Sequence, residues 1–222
     1  MADKKIVIPG EVIAKGNDYL PGEWTEKKGE EIVAIRFGVF DESDKLVRVI
    51  PISGTYQPRK GNVVIGEIVN ILPNGWFLDI GTSENAFLSL SEVPKFINRG
   101  ELASVMDIGD VAVAKIFDIS GRGIDLTVRS HGMGRIDEGI IMSINSNKVP
   151  RVIGKEGSMI NIIKDETRCN ITVGQNGSIW ISGENAEDEI LAKKAITFIT
   201  EKFFMEGLTD EMKKWFEKEK GK

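Results

Sequence analysis

Cysteine and histidine are almost absent from this chain of 222 residues. Cys169 is the only cysteine, so an internal disulfide or a cysteine-built metal site is excluded. We expect Cys169 to pack as a small apolar side chain on a strand. His131 is the only histidine and stands beside a glycine, a setting that disfavours a role in catalysis.

The chain also lacks long apolar runs and an excess of positive charge. No run approaches the roughly 20 apolar residues of a membrane helix, and residues 1–5 lead into only a short apolar stretch without signal-peptide features. Together with the single cysteine, this predicts a cytoplasmic protein with no membrane partner. There are 29 Lys and Arg against 34 Asp and Glu, a net charge of −5. Any binding of nucleic acid is therefore predicted to be local.

Catalytic signatures are missing as well. The sequence has no Walker loop, dinucleotide fingerprint, zinc-ligand spacing or set of nucleophile, base and acid. Acidic pairs such as Asp41 and Asp44 fall in polar, turn-like segments, whereas a two-metal nuclease needs carboxylates held on rigid elements. We predict that the chain is not an enzyme and holds no metal or cofactor.

Hydrophobic residues make up 41% of the chain, which at this length suffices for two or three domains. In residues 1–60, short β-like runs at 32–40 and 46–51 alternate with turn residues. This pattern predicts a small N-terminal β domain. An isolated β unit of this size is only marginally stable, so we expect it to pack on a neighbouring domain or on another subunit.

Residues 61–130 contain five strand-like runs with a longer excursion between the third and the fourth. This arrangement predicts a five-stranded OB-type β-barrel with Greek-key connections. Single-stranded nucleic acid binds such barrels through aromatic stacking and basic groups. Trp76 and Phe77 are candidate RNA-stacking residues, with packing in the barrel core as the alternative. Lys115, Arg122 and Arg129 are candidate phosphate contacts, with ordinary solvated charge as the alternative.

A Gly-x-x-Gly motif, Gly154-Lys155-Glu156-Gly157, follows an apolar strand-like run at 139–144 and precedes helix-compatible residues. Two glycines at this spacing let another backbone approach closely. The amide groups that open the following helix favour a phosphate. Lys148 and Arg151 add a modest local excess of positive charge, the pattern expected of a confined phosphate track.

With these features, residues 138–206 resemble a K-homology (KH) domain, an α+β fold of order β-α-α-β-β-α whose loop clamps single-stranded RNA. We assign residues 131–206 to this domain, including a short glycine-bearing link at 131–137. The resemblance implies that Ile153 lines an apolar groove beside the loop. Residues 207–222 form a charged tail, predicted as a short amphipathic helix that either folds back or docks on a partner.

Residues 61–130 likewise resemble the S-one RNA-binding repeat, in the order V-x-G-x-I, G-x-F-x-D-I-G, L-S-x-x-E, G-D-x-x-x-x-K-I and G-I-x-L-T. They depart from it at Asn74 and Ser89, where that repeat often has an aromatic residue and a histidine. We therefore expect a reduced stacking platform.

The three domains in this order resemble the RNA-binding cap subunit of the archaeal RNA exosome across nearly the whole length. That resemblance implies a multi-subunit complex for RNA degradation. Three copies of a subunit without nuclease activity would sit on a ring of RNase-PH-like subunits and guide RNA 3′ ends to its phosphorolytic sites. The N-terminal domain would grip the ring. The alternative is a free-standing KH and OB protein acting in translation or as an RNA chaperone. A polynucleotide-phosphorylase-like enzyme would need catalytic domains for which 222 residues leave no room.

Overall fold

The computed structural model describes residues 5–95, 97–98, 100–202, 205 and 207–220. The chain divides into two compact units, Met1–Gly54 and Thr55–Lys222. The predicted architecture is confirmed: a strand-rich N-terminal unit, followed by a unit that contains both the barrel and the KH domain.

Seven short strands form two small sheets in the N-terminal unit. They are β1 (Ile6–Val7), β2 (Val12–Lys15), β3 (Leu20–Pro21), β4 (Thr25–Lys28), β5 (Glu31–Ala34), β6 (Gly38–Ser43) and β7 (Leu46–Pro51). The sheet orders are β1-β6-β7-β3 and β2-β5-β4. Asp44 and Lys45 join β6 to β7 with φ of 48° and 65°, the backbone expected of a tight two-residue hairpin turn. Val7, Ala34 and Val49 form the small core of this unit.

The barrel closes because its fifth strand pairs with both its third and its fourth. Its strands are β8 (Val63–Leu72), β9 (Gly75–Asp79), β10 (Ala86–Ser89), β11 (Val111–Ser120) and β12 (Gly123–Thr127), with a short helix α1 (Leu102–Val105) in the excursion before β11. The order is β12-β10-β9-β8-β11, and β11 also pairs with β12. Alternate residues of each strand, such as Leu78, Leu88 and Leu126, fill the interior.

The KH domain has the predicted order. After a short strand β13 (Gly134–Ile136) come β14 (Ile140–Ser143), α2 (Val149–Ile153), α3 (Ser158–Thr167), β15 (Asn170–Val173), β16 (Ser178–Ser182) and α4 (Ala186–Glu201). The three KH strands form an antiparallel sheet of order β14-β16-β15. Asn185 caps α4 by accepting a hydrogen bond from the Asp188 amide. Cys169 is buried beside β15, and burial raises the pKa of its thiol.

The charged tail folds back. Helix α5 (Leu208–Lys220) places Leu208, Met212 and Phe216 in the KH core, while its charged residues face outward. Of the two predicted options, docking on the chain's own KH domain is therefore the one that is observed. Phe203, Phe204, Glu206 and residues 221–222, which belong to the predicted KH and tail segments, lie outside the described residues.

Two contacts fix the barrel to the KH domain. The predicted link at 131–137 contains β13, which pairs with β11 along Val111–Val113 and so extends the barrel sheet. In addition, the turn between β15 and β16 docks on β8. The Gln175 amide donates to the Val63 carbonyl at 2.8 Å, and the Asn176 Nδ2 donates to the Ile65 carbonyl at 2.8 Å.

Within the described ranges, none of the helices combines the length and the apolar character needed to cross a bilayer. Across those same ranges, no cluster of three or more His, Cys, Asp or Glu side chains is placed to hold a metal ion.

Candidate nucleic-acid interface

The Gly-x-x-Gly loop separates α2 from α3 and requires a glycine at its first position. Gly154 ends α2 with φ of +74°, and a Cβ there would lie 2.7 Å from the Met159 amide nitrogen. Gly157 also has positive φ, +80°, but a Cβ there would meet only ordinary contacts. The first glycine is therefore needed for space and conformation, and the second for conformation alone.

The middle of the loop presents one positive and one negative side chain. Lys155 and Glu156 are both exposed, and Glu156 adopts a left-handed backbone with φ of +54°. Helix α3 begins after Gly157 without a side-chain cap, so its first amide groups point toward the loop. Those amides and Lys155 form an anion-attracting surface, which Glu156 weakens.

Lys148 and Arg151, predicted as phosphate contacts, are directed elsewhere by the structure. The Lys148 Nζ donates to the Thr200 carbonyl at 2.9 Å, and the Arg151 Nη2 donates to the Met205 carbonyl. The last carbonyls of a helix lack partners within the helix, and basic side chains commonly satisfy them. Lys148 thus binds the last turn of α4, and Arg151 binds the segment that follows this helix. Phosphate contacts by these two residues stay a prediction.

Ile153, the predicted groove residue, is half-buried at the end of α2 directly before the loop. Val152 next to it is fully buried in the KH core. Ile153 therefore keeps part of its side chain at the surface beside the Gly-x-x-Gly loop. Its role as a groove residue stays a prediction.

Trp76 cannot stack on RNA from its place in the barrel. Its side chain has 0% exposure, and its Nε1 donates to the Met106 carbonyl at 2.9 Å inside the core. The prediction of an RNA contact is wrong for this residue, because the strand alternation of β9 directs Trp76 inward together with Leu78.

The same alternation directs Phe77 outward, where it meets Phe87. The two residues lie directly opposite each other on β9 and β10, with ring centroids 5.3 Å apart. Both are half-buried, so the pair presents an aromatic surface on the outside of the barrel. Phe87 is a third aromatic residue of the predicted stacking platform, but it was not among the residues predicted to contact RNA. Sequence alternation does not single it out, because Ala86, Phe87 and Leu88 are all apolar. Only the structure shows that Ala86 and Leu88 are buried and that Phe87 is half-buried.

The three basic residues of the barrel that were predicted to contact phosphate differ in exposure and in their hydrogen-bond partners. Arg122 is exposed in the turn between β11 and β12, and Lys115 is half-buried on β11. The Arg129 Nη2 donates to the Ser91 carbonyl at 2.5 Å, and its Nε lies 3.6 Å from the Glu92 carboxylate. Arg129 is therefore oriented by the excursion after β10, whereas Arg122 stays available at the tip of a hairpin.

Two parts of the chain match known domain families. Residues 139–198 match the KH domain, and residues 55–102 match the domain described as "RRP4, S1 domain". These matches fall on the KH domain and on the first half of the barrel.

The chain is also similar to known proteins along almost its whole length. It is 40% identical over 212 residues to exosome complex component Rrp4 of Methanothermobacter thermautotrophicus, covering 95% of this chain and 67% of the relative. Rrp4 of Pyrococcus furiosus is 40% identical over 217 residues, covering 95% of this chain and 82% of the relative. The chain belongs to the Rrp4 family of exosome complex components.

A solved crystal structure supports the same assignment for this Rrp4-family chain. It is described as that of an exosome complex RNA-binding protein, with 36% identity and a TM-score of 0.68. The match covers 75% of this chain and 98% of the solved chain. The Phe77–Phe87 pair and the Gly-x-x-Gly loop thus lie on the two parts of the chain that match these domain families.

Proposed function

We propose that this chain is a non-catalytic RNA-binding cap subunit of an archaeal exosome. It captures single-stranded RNA and guides the 3′ end into a ring of RNase-PH-like subunits, which degrades it by phosphorolysis in the 3′-to-5′ direction. Three copies share one ring in the cytoplasm. The observation that carries this proposal is the similarity to Rrp4 exosome components over 95% of the chain.

The RNA-binding part of the proposal rests on two surfaces within one compact unit. The aromatic pair Phe77–Phe87 offers stacking for bases, and the loop with Lys155 and the α3 amide groups offers a site for the backbone. Each surface carries little positive charge, consistent with a net charge of −5. Three copies around one entrance gain by effective concentration what a single copy lacks.

The ring-binding part rests on an exposed apolar face of the N-terminal sheet. Ile6, Val39 and Ile50 lie directly opposite one another on β1, β6 and β7, so they share a face. Ile6 is 49% exposed, Ile50 is 45% exposed, and Phe37 just before β6 is 43% exposed. Val39, between Ile6 and Ile50, is only 8% exposed. Several exposed apolar side chains around it on such a small unit are typical of a surface that binds another protein. This face also favours a subunit of a complex over the free-standing RNA-binding alternative.

Reconstitution with purified RNase-PH-like ring subunits, followed by native mass spectrometry, tests the proposal. We expect the wild-type chain to bind the ring at micromolar concentration with three copies, and the Ile50→Asp variant to lose that binding. Ile108→Asp is the matched control, because Ile108 is an isoleucine 62% exposed in the other unit.

Failure of the wild-type chain to bind the ring would refute the cap assignment. Equal losses in both variants would show that the effect is not specific to the N-terminal face. A separate incubation of the purified chain with RNA and phosphate tests for activity, and any shortening of the RNA would contradict the absence of catalysis.

A further inference from the structure

Phe117 is an aromatic side chain that the barrel fold turns out toward solvent. Its neighbour Ile116 is in the core and pairs with Leu126, but the next pairing along β11 is Asp118 with Asp125. Phe117 is thus the extra residue of a β-bulge, a device that changes the direction of one side chain. Its side chain is 55% exposed. The barrel therefore does not use Phe117 for packing, although a buried aromatic ring would stabilise it.

A lysine lies beside this ring and is held there by several contacts. The Lys60 Nζ is 5.8 Å from the Phe117 ring centroid and 3.2 Å from the Asp118 Oδ1. The segment around Lys60 is fixed to β11 by two backbone hydrogen bonds of 2.8 Å, from the Gly61 amide to the Ile116 carbonyl and from the Ile116 amide to the Asn62 carbonyl. The Lys60 side chain is nevertheless 69% exposed. The ammonium group can contact the ring and still reach a ligand in solvent.

Further basic residues lie on the same part of the barrel. Lys115 precedes Phe117 by two residues on β11, and Arg122 occupies the turn that ends this strand. The nearby carboxylate of Asp118 is paired with Lys60. An exposed aromatic ring with ammonium and guanidinium groups around it is the combination that binds single-stranded nucleic acid without sequence preference. The exposed apolar area on this strand consists of Phe117 and of Ile119, which is 41% exposed. A surface for a protein partner would need a wider apolar area than these two side chains among charges.

We propose that Phe117 and Lys60 form a second RNA-stacking site on the barrel, distinct from the Phe77–Phe87 pair. A base of single-stranded RNA stacks on the exposed ring, and Lys60 contacts the adjoining phosphate. The two sites are separated by β12, because the strand order is β9-β10-β12-β11. This inference rests on the proposed RNA-binding function and adds a contact surface to it.

The test measures binding of a fluorescein-labelled single-stranded RNA to the full chain by anisotropy over a range of salt concentrations. We expect Phe117→Ala to weaken binding at least about fivefold, the lower end of the effect of removing one stacking ring. Phe117→Tyr keeps a ring and is expected to bind as the wild type does. Lys60→Ala is expected to lower the slope of log affinity against log salt by about 0.7, the value for one phosphate contact on a single strand.

Ile108→Ala is the control, since it removes an exposed apolar side chain of the same barrel that has no aromatic ring. Thermal unfolding of each variant shows whether the fold is kept, and Phe117→Tyr covers the case in which the alanine variant is unstable. Unchanged RNA affinity in Phe117→Ala would overturn the inference. If Phe117→Ala no longer binds the RNase-PH-like subunits but keeps its RNA affinity, Phe117 is instead assigned to a contact between subunits.

Failure of the proposed function gives a different result. RNA capture itself is refuted if the wild-type chain and its Phe77→Ala variant both fail to bind RNA. This must hold both for the isolated chain and for the chain assembled with the RNase-PH-like subunits. If Phe77→Ala weakens binding and Phe117→Ala does not, only the second stacking site is refuted.

Discussion

Asn176 is the residue whose removal should most directly loosen the barrel from the KH domain. It lies in the turn between β15 and β16, and its Nδ2 donates to the Ile65 carbonyl at 2.8 Å and to the Ile80 carbonyl at 3.1 Å. Its Oδ1 accepts a longer hydrogen bond, 3.3 Å, from the Ile65 amide. One side chain thus satisfies three backbone groups of the barrel, two on β8 and one directly after β9. The perturbation we propose is Asn176→Ala.

The expected cost follows from those three hydrogen bonds. Each contributes about 0.5–1.5 kcal/mol net, and a buried backbone group left without a partner costs about 1–3 kcal/mol. Ile65 and Ile80 are 2% and 1% exposed, so water has little access to replace the lost partner. We expect Asn176→Ala to lower the free energy of unfolding by about 2–4 kcal/mol. Asn176→Asp should be at least as damaging, because it places a carboxylate against two carbonyl oxygens.

Urea unfolding of the full chain, followed by tryptophan fluorescence, measures this loss. The four tryptophans lie in the N-terminal unit (Trp24), the barrel core (Trp76) and the KH domain (Trp180 and Trp215), so a weakened junction is expected to split the single transition into two. Amide hydrogen exchange should also become faster at residues 63–65 and 174–178. Asn70→Ala is the control, an exposed asparagine on the same strand β8. A change within about 0.5 kcal/mol of the wild type, the range of ordinary surface substitutions, would refute this account of the junction.

Three further outcomes are expected. Replacing both Lys155 and Glu156 by aspartate should weaken RNA binding, because the added negative charge repels phosphate. The melting temperature should stay unchanged, because aspartate tolerates the left-handed backbone at 156. An unchanged RNA affinity in anisotropy titrations would show that the loop does not contact RNA. Phe216→Ala should cost about 3–5 kcal/mol in urea unfolding, since the ring is 1% exposed in the KH core, and a loss under about 1 kcal/mol would mean that α5 is dispensable. Burial raises the pKa of Tyr56 to about 12 from an ordinary value of 10.0. The contribution of the neutral phenol to stability is therefore complete below about pH 10 and is lost as the pH rises to about 12. Tyr56→Phe should remove this alkaline loss of stability in urea unfolding measured over pH, and an identical pH profile in the variant would contradict the assignment.

Local sequence patterns predicted the domains because each domain has a strong signal of its own. The glycines at 154 and 157 between an apolar strand and a helix indicated the KH domain. The five spaced β runs indicated the barrel. These signals depend on turns, on periodicity and on residues close together in sequence, which a single sequence contains.

The direction of individual side chains was harder to predict. Trp76 and Phe77 are adjacent and both aromatic, and only the closed barrel shows that Trp76 faces inward. The bulge at Phe117 shifts the register of β11 against β12, which the strand pattern alone does not reveal. Lys148 and Arg151 had the charge of phosphate ligands, but the structure shows that they also donate to the carbonyls of Thr200 and Met205, which are 52 and 54 residues later. Such contacts depend on long-range packing, which composition and spacing do not encode.

The junction made by β13 and the turn at Gln175–Asn176 has a consequence for the length of RNA. Because both connections join the barrel to the KH domain, the distance from Phe77–Phe87 to the Gly-x-x-Gly loop is set by the fold. A flexible tether would let RNA of any length engage both modules with gradually changing affinity. With a fixed separation, we expect oligonucleotides shorter than the span to bind only one of the two modules. Oligonucleotides long enough to reach both are expected to gain the second contact abruptly at that length.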